Sequence, residues 1–230
     1  MDIDELKERV KLAYSSMQSY EDSGIIKCNN FGRGDGWFKT EFMRPNLLKF
    51  QWCNSRFDED KYSLLVKGDK ARLKLPRRSQ DLSKSTTVHM ALSGTGGCSL
   101  GLTDTILPLL IDGARRPNFT REKLATLKDE VVEEELCYHV REIYQGFHVW
   151  ISQSDFTVRR MRSDGCAVLN EALHTYISAV MNVSQFFNPR AMVLEEKHIA
   201  SLESPMVSDW TLKRIKFNHL DSSIFEDCGL

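Results

Sequence analysis

The chain has 230 residues and carries 31 basic against 32 acidic side chains, for a formal net charge of −1. That balance leaves no nucleic-acid footprint and no acidic tail, and no apolar run approaches the roughly 20 residues that a membrane span needs. With 41% hydrophobic and 10% aromatic residues the composition is that of a globular protein, long enough to bury a substantial core in one domain spanning 1–230.

Residues 2–18 read as the first helix, because Ile3, Leu6, Val10, Ala13, Tyr14 and Met17 recur at three- and four-residue spacing between charges. The opening MDIDELKERVKLAYSSM lacks a basic cap followed by an apolar core, so it does not read as an export signal. A native start there predicts a cytoplasmic protein, and a trimmed start leaves the compartment open. Ser19-Tyr20 and Asp22-Ser23-Gly24 are expected to end the helix, and Gly24 to Phe31 to form a short strand.

The stretch from Gly32 to Trp52 organises the rest of the chain. A Gly34-Asp35-Gly36 turn opens it, after which Phe38, Thr40 and Phe42 point to one face and Lys39, Glu41 and Met43 to the other. Arg44 falls on the apolar face, where a guanidinium must find hydrogen-bond acceptors. Pro45 forces a bend or an edge. A second alternating run then puts Leu48, Phe50 and Trp52 on one side. Beyond a polar loop at Asn54 to Asp60, Tyr62, Leu64 and Val66 alternate, and Lys67-Gly68-Asp69-Lys70 has hairpin chemistry leading into Ala71, Leu73 and Leu75. Five short consecutive strands predict an antiparallel meander, since parallel strands need long crossovers.

From Ser79 the texture changes. A polar segment to Leu92, the Gly-rich connector Ser93-Gly94-Thr95-Gly96-Gly97 and the apolar run Leu100 to Ile111 predict short helices folded over the sheet, the last kinked at Pro108. Alternation returns at Val132, Leu136, Tyr138 and Val140. It continues through Phe147, Val149 and Ile151, with Trp150 on the opposite face, and through Phe156 to Met161. This is a second meander. Cys166 to Val183 has helical spacing, Ala191 to Ile199 and Trp210 to Phe217 read as closing strands, and the tail from Asp221 to Leu230 carries no pattern.

Several motifs are better explained without chemistry. Gly97-Cys98-Ser99-Leu100-Gly101 fits the Gly-x-Ser-x-Gly elbow of serine hydrolases, but that elbow needs a buried strand before it and a helix after it. Ser99 therefore stands as an alternative nucleophile in a loop. Arg33-Gly34-Asp35 is explained as turn residues. The triple Glu133-Glu134-Glu135 puts Glu134 on the apolar face of its strand, as a solvated strand end. The six histidines and six widely spaced cysteines form no ligand pair, so no metal and no cofactor is expected.

The run Gly32-Arg33-Gly34-Asp35-Gly36-Trp37-Phe38, with Phe42-Met43-Arg44-Pro45-Asn46-Leu47-Leu48-Lys49-Phe50, resembles the carriers of bacterial outer-membrane lipoproteins. Ala13-Tyr14-x-x-Met17-x-x-Tyr20, Leu92 to Ser99 with Leu107-Pro108-Leu109-Leu110, Val149-Trp150-Ile151 and Val158-Arg159-Arg160-Met161 are similar to the same superfamily. The resemblance implies an α+β fold: a curved, half-closed antiparallel β-barrel-like sheet with helices covering its concave face. It implies a non-enzymatic, periplasmic protein that holds a lipid, an acyl chain or an acylated lipoprotein in an apolar cavity. Phe38, Phe42, Leu48, Phe50, Trp52, Leu64 and Val66 would line that cavity, Leu107, Leu109 and Leu110 would cover it, and Arg44 would latch the cover. A module that grips a protein segment on the same concave face is the other non-catalytic alternative.

Overall fold

The computed structural model describes residues 1–28, 35–53, 61–74, 87–95, 103, 105–112, 114, 124–142, 147–163 and 208–228. Its first element is helix α1 (Ile3–Ser16). Asp2 caps it, with Oδ1 accepting from the Glu5 amide at 2.8 Å, so one of the four unpaired amides of the first turn is satisfied. Leu6, Val10 and Tyr14, one per turn, are buried on the side that faces the sheet. Met17 takes an extended backbone and ends the helix.

Among the described residues eleven strands form two meanders. The first contains β1 (Ser19–Cys28), β2 (Gly36–Met43), β3 (Leu47–Cys53), β4 (Tyr62–Lys67) and β5 (Lys70–Lys74). After the short helices α2 (Val88–Thr95) and α3 (Leu107–Leu110), the second contains β6 (Leu124–Thr126), β7 (Glu130–Val132), β8 (Glu135–Glu142), β9 (Phe147–Ser152), β10 (Val158–Ser163) and β11 (Ser208–Phe217). The strand order is β5-β4-β3-β2-β1-β11-β10-β9-β8-β6, with β7 also paired to β8. Every pairing is antiparallel, and β1 against β11 is the seam between the two meanders. Among the described residues β5 and β6 do not pair with each other, so these strands do not close the sheet into a barrel.

The expected alternation decides which way each strand faces. Phe38, Phe42, Leu48, Phe50, Trp52, Leu64 and Val66 all point inward and join one apolar core with Val140, Val149, Ile151, Val158 and Met161 of the other meander. Leu6, Val10 and Tyr14 of α1, Ala91 and Leu92 of α2, and Ile106, Leu107, Leu110 and Ile111 complete that core from the helical side. On the outer face of β2, Glu41 is buried to 6% exposure because Lys39 and Lys49 close over its carboxylate at 2.7 and 3.5 Å.

Three expectations need correction. The strand β1 begins at Ser19, not Gly24, so the polar Ser19-to-Gly24 cluster is a strand whose Tyr20 and Asp22 point inward. Gly24 belongs there because the Phe38 ring and the Thr211 carbonyl occupy the space a Cβ would need. Helix α2 runs through Ser93, Gly94 and Thr95, which were expected in a connector, and Thr95 Oγ1 donates back to the Ala91 and Leu92 carbonyls. Glu133 and Glu134 are not in a strand at all. Both have positive φ, 48° and 68°, and form the two-residue turn between β7 and β8.

The tail carries a 3-10 helix, Ser222–Cys228, whose Phe225 is buried, where the sequence offered no pattern. The expected helix at Cys166 to Val183, the expected strand at Ala191 to Ile199, most of the Gly-rich turn and Ser99 lie outside the described residues.

Candidate functional site

The bend between β2 and β3 is where sheet and helices are tied. Arg44 and Pro45 are joined by a cis peptide bond and Asn46 has φ of 148°; the Arg44 side chain reaches back to the end of α1. Its Nε donates to the Met17 carbonyl at 2.9 Å and its Nη2 to the Tyr14 carbonyl at 3.2 Å. These acceptors lie at the negative end of the helix dipole, which favours a cation there, and the Tyr14 carbonyl also takes the Met17 amide at 3.4 Å. Nη1 reaches Asp112, just past α3, at 2.7 Å. The Asp112 amide in turn donates to Asn46 Oδ1 at 3.0 Å. Below the guanidinium, the Phe42 ring lies 5.5 Å away, within cation–π range. One arginine therefore fastens α1 and the α3 segment to the same corner of the sheet.

The structure brings the other expected site residues together beneath this corner. Phe38, Phe42, Leu48, Phe50, Trp52, Leu64 and Val66 are each at most 2% exposed, as are Leu107 and Leu110, while Leu109 is partly buried against the same cluster. Phe50, Trp52 and Tyr62 form a stacked column with ring centroids 4.9 and 5.0 Å apart. The wall and the helices share one apolar core.

A polar strip on the inner face escaped the sequence reading. The Val158 amide donates to Tyr14 Oη at 3.0 Å, and Tyr20 Oη donates to Asp22 Oδ2 at 2.6 Å. The two tyrosine rings sit 5.7 Å apart. Asp22 stands opposite Thr40 in the β1–β2 register, between Phe38 and Phe42 on the same face. Burial pushes its carboxyl up to about 6, against hydrogen bonds from Thr40 and Tyr20 that pull the other way. Burial also pushes the Tyr20 phenol well above its ordinary range, with the Asp22 charge adding to it. No periodicity announces such a strip, and only the polar run in β1 was a signal.

A second unanticipated cluster lies on the outer face of β8 to β11. His139 Nε2 and His148 Nδ1 are 2.9 Å apart, and Glu130 lies 3.2 Å from His139 Nδ1 while accepting from Trp150 Nε1 at 3.0 Å. The His139 ring stacks on Trp150 at 4.2 Å, and Arg160, held by Asp209, packs over the same indole. Desolvation lowers the His139 pKa. The arrangement braces five strands, β7 to β11, from outside and is remote from the covered face. Among the described residues no His, Cys, Asp and Glu group is arranged to hold a metal ion.

No family model matches this chain, and no curated protein does. Solved structures resemble it over nearly its whole length. LppX, a lipoprotein of Mycobacterium tuberculosis, is 11% identical over 96% of this chain and 98% of its own, with a TM-score of 0.45. A LolA superfamily protein from Nitrosomonas europaea is 15% identical, with full coverage of both chains and a TM-score of 0.36. An outer membrane lipoprotein-sorting protein domain from Vibrio parahaemolyticus is 7% identical over 97% of this chain and 96% of its own, with a TM-score of 0.37. All three identities are 15% or lower and all three TM-scores lie below 0.5, so the antiparallel sheet with helices against its inner face rests on this chain's own strand pairing and core.

Proposed function

We propose that this protein is a non-catalytic binder or carrier of a lipid or acylated ligand of the cell envelope, taken between the sheet's inner face and its helical cover. The observation that carries the reading is the Arg44 guanidinium, which holds the α1 terminus and Asp112 in one hydrogen-bonded knot at the rim of an aromatic and aliphatic wall. A cover that served only to fill the core would need no polar clasp, since apolar contact alone suffices there.

The physics of loading follows from the closed geometry. Phe38, Phe42, Leu48, Phe50, Trp52, Leu64 and Val66 form the wall, and Leu107, Leu109 and Leu110 lie over it. A chain entering there replaces helix-to-sheet contacts with chain-to-sheet contacts, each buried methylene contributing about 0.8 kcal/mol. Entry must also break the three Arg44 hydrogen bonds. The ligand-free protein is thus held shut by a charged clasp, and the loaded one is held open by the ligand's own buried area.

Mass spectrometry of organic extracts from the purified protein, beside an unrelated protein prepared identically, tests this. A lipid present at a constant ratio to protein, and absent from the control, supports the reading. An empty extract, together with failure of the delipidated protein to take up an added fatty acyl chain, overturns it.

A further inference from the structure

One carboxylate inside the covered face, held by Tyr20 and Thr40, keeps one oxygen without a partner among the described residues. Asp22 is 1% exposed, and Tyr20 donates to its Oδ2. Its Oδ1 has no hydrogen-bond partner among the described residues. The charges that act on it give no compensation either, since the one that registers is the nearby Glu21. A buried carboxylate with a vacant acceptor is costly. The position is not marginal to the site: Asp22 lies across from Thr40, on the face that carries Phe38 and Phe42.

The neighbours show how it becomes reachable. Tyr14 is the α1 residue that lies against Tyr20, and its backbone carbonyl is the one gripped by Arg44. Its hydroxyl takes the Val158 amide proton. Withdrawing α1 from the sheet removes Tyr14 from above Tyr20 and Asp22, while Tyr20 and Asp22 stay behind on β1. The same movement that breaks the clasp uncovers the acid.

We propose that Asp22 is the polar anchor of the ligand site, its Oδ1 accepting a hydrogen bond from a hydroxyl carried close to the ligand's acyl chain. The ligand class is then a neutral hydroxylated amphiphile of the monoacylglycerol kind. An anionic head would face a like charge, and an ester without a donor would leave Oδ1 unpaired. This inference rests on the carrier reading above.

The test is displacement of a fluorescent acyl probe from the delipidated protein by monoolein and by methyl oleate, which share the oleoyl chain and differ in hydroxyl donors. Wild-type protein should prefer monoolein by about tenfold, the value of one good hydrogen bond near 1.4 kcal/mol. Asp22→Leu and Asp22→Asn, each checked for cooperative thermal unfolding, are read by the ratio of their affinities for the two lipids, and Asp22→Leu should lose the preference. Comparing the preference between variants removes the difference in solubility of the two lipids. Equal binding of both lipids by wild type, or an unchanged preference in Asp22→Leu, overturns the anchor while leaving the carrier reading intact. Absence of binding by either lipid overturns both.

Discussion

Tyr14 and Arg44 meet at a single backbone carbonyl, 3.2 Å from the guanidinium, and that contact couples the helix terminus to the turn between β2 and β3. The same tyrosine reaches the opposite meander through its hydroxyl, at the Val158 amide. Helix α1 is therefore fixed at one residue to both halves of the sheet, and its detachment requires both bonds to break.

Arg44→Leu should free the end of α1. Removing a largely buried cation strands the acceptors at Tyr14, Met17 and Asp112, a loss of about 2 kcal/mol when charged hydrogen bonds are involved. Amide hydrogen exchange in the last turn of α1 should accelerate by tenfold or more, and a bound acyl chain should exchange faster. Unchanged exchange there would show that α1 is held by its apolar face alone.

Asp112→Ala should be far milder. Its side chain is 65% exposed, and exposed ion pairs contribute roughly 0–1 kcal/mol. Chemical denaturation should place this variant within that range of wild type, and raising the salt concentration should narrow the difference further.

Asp22 makes stability depend on pH with a definite sign. Its folded pKa is raised from 3.8 to about 6, so the native state binds the proton more tightly than the unfolded chain. The stabilising contribution is complete below about pH 4 and is lost as pH rises through 6, up to roughly 3 kcal/mol in all. Glu21 and Glu135 are shifted downward and oppose it at low pH, so the wild-type curve alone mixes the two trends. The difference between wild type and Asp22→Asn isolates it: the variant should gain on wild type between pH 4 and 6.

Gly24→Ala should be among the most damaging single-methyl changes. The new Cβ would lie 2.6 Å from the Phe38 ring and against the Thr211 carbonyl, which belongs to the partner strand's backbone. Overpacking of this kind costs about 1–3 kcal/mol, and the loss should appear as a lower denaturant midpoint. Glu134→Gly should act in the opposite direction, gaining up to about 1 kcal/mol by relieving φ of 68° in a turn that prefers glycine.

The two meanders were legible because their strands alternate strictly. Phe38 to Phe42 and Leu48 to Trp52 each place one apolar face inward, and the Gly68-Asp69 turn sits where hairpin chemistry put it, with Gly68 at φ 64°. Arg44 was also legible as a cation on the apolar side. Its acceptors were not, because two are backbone carbonyls that exist only where α1 ends and the third lies 68 residues away. The start of β1 was misread for a related reason. Asp22, Ser23 and Gly24 favour turns locally, but the ladder to β2 and β11 overrides that preference, and the glycine is needed for close approach rather than for bending. The Glu133–Glu134 turn lacks the glycine or asparagine that would have announced it.

Fluorescence of Trp52 offers the most direct test of ligand binding on the inner face. This indole is fully buried in the wall between Phe50 and Tyr62, whereas Trp150 lies on the outer surface cluster. A dibrominated stearoyl chain quenches indoles only on close contact, so titrating it into delipidated protein should give saturable quenching that Trp52→Phe removes. No saturable quenching, or quenching undiminished in Trp52→Phe, would place the chain elsewhere and contradict a lipid site beneath the latched helices.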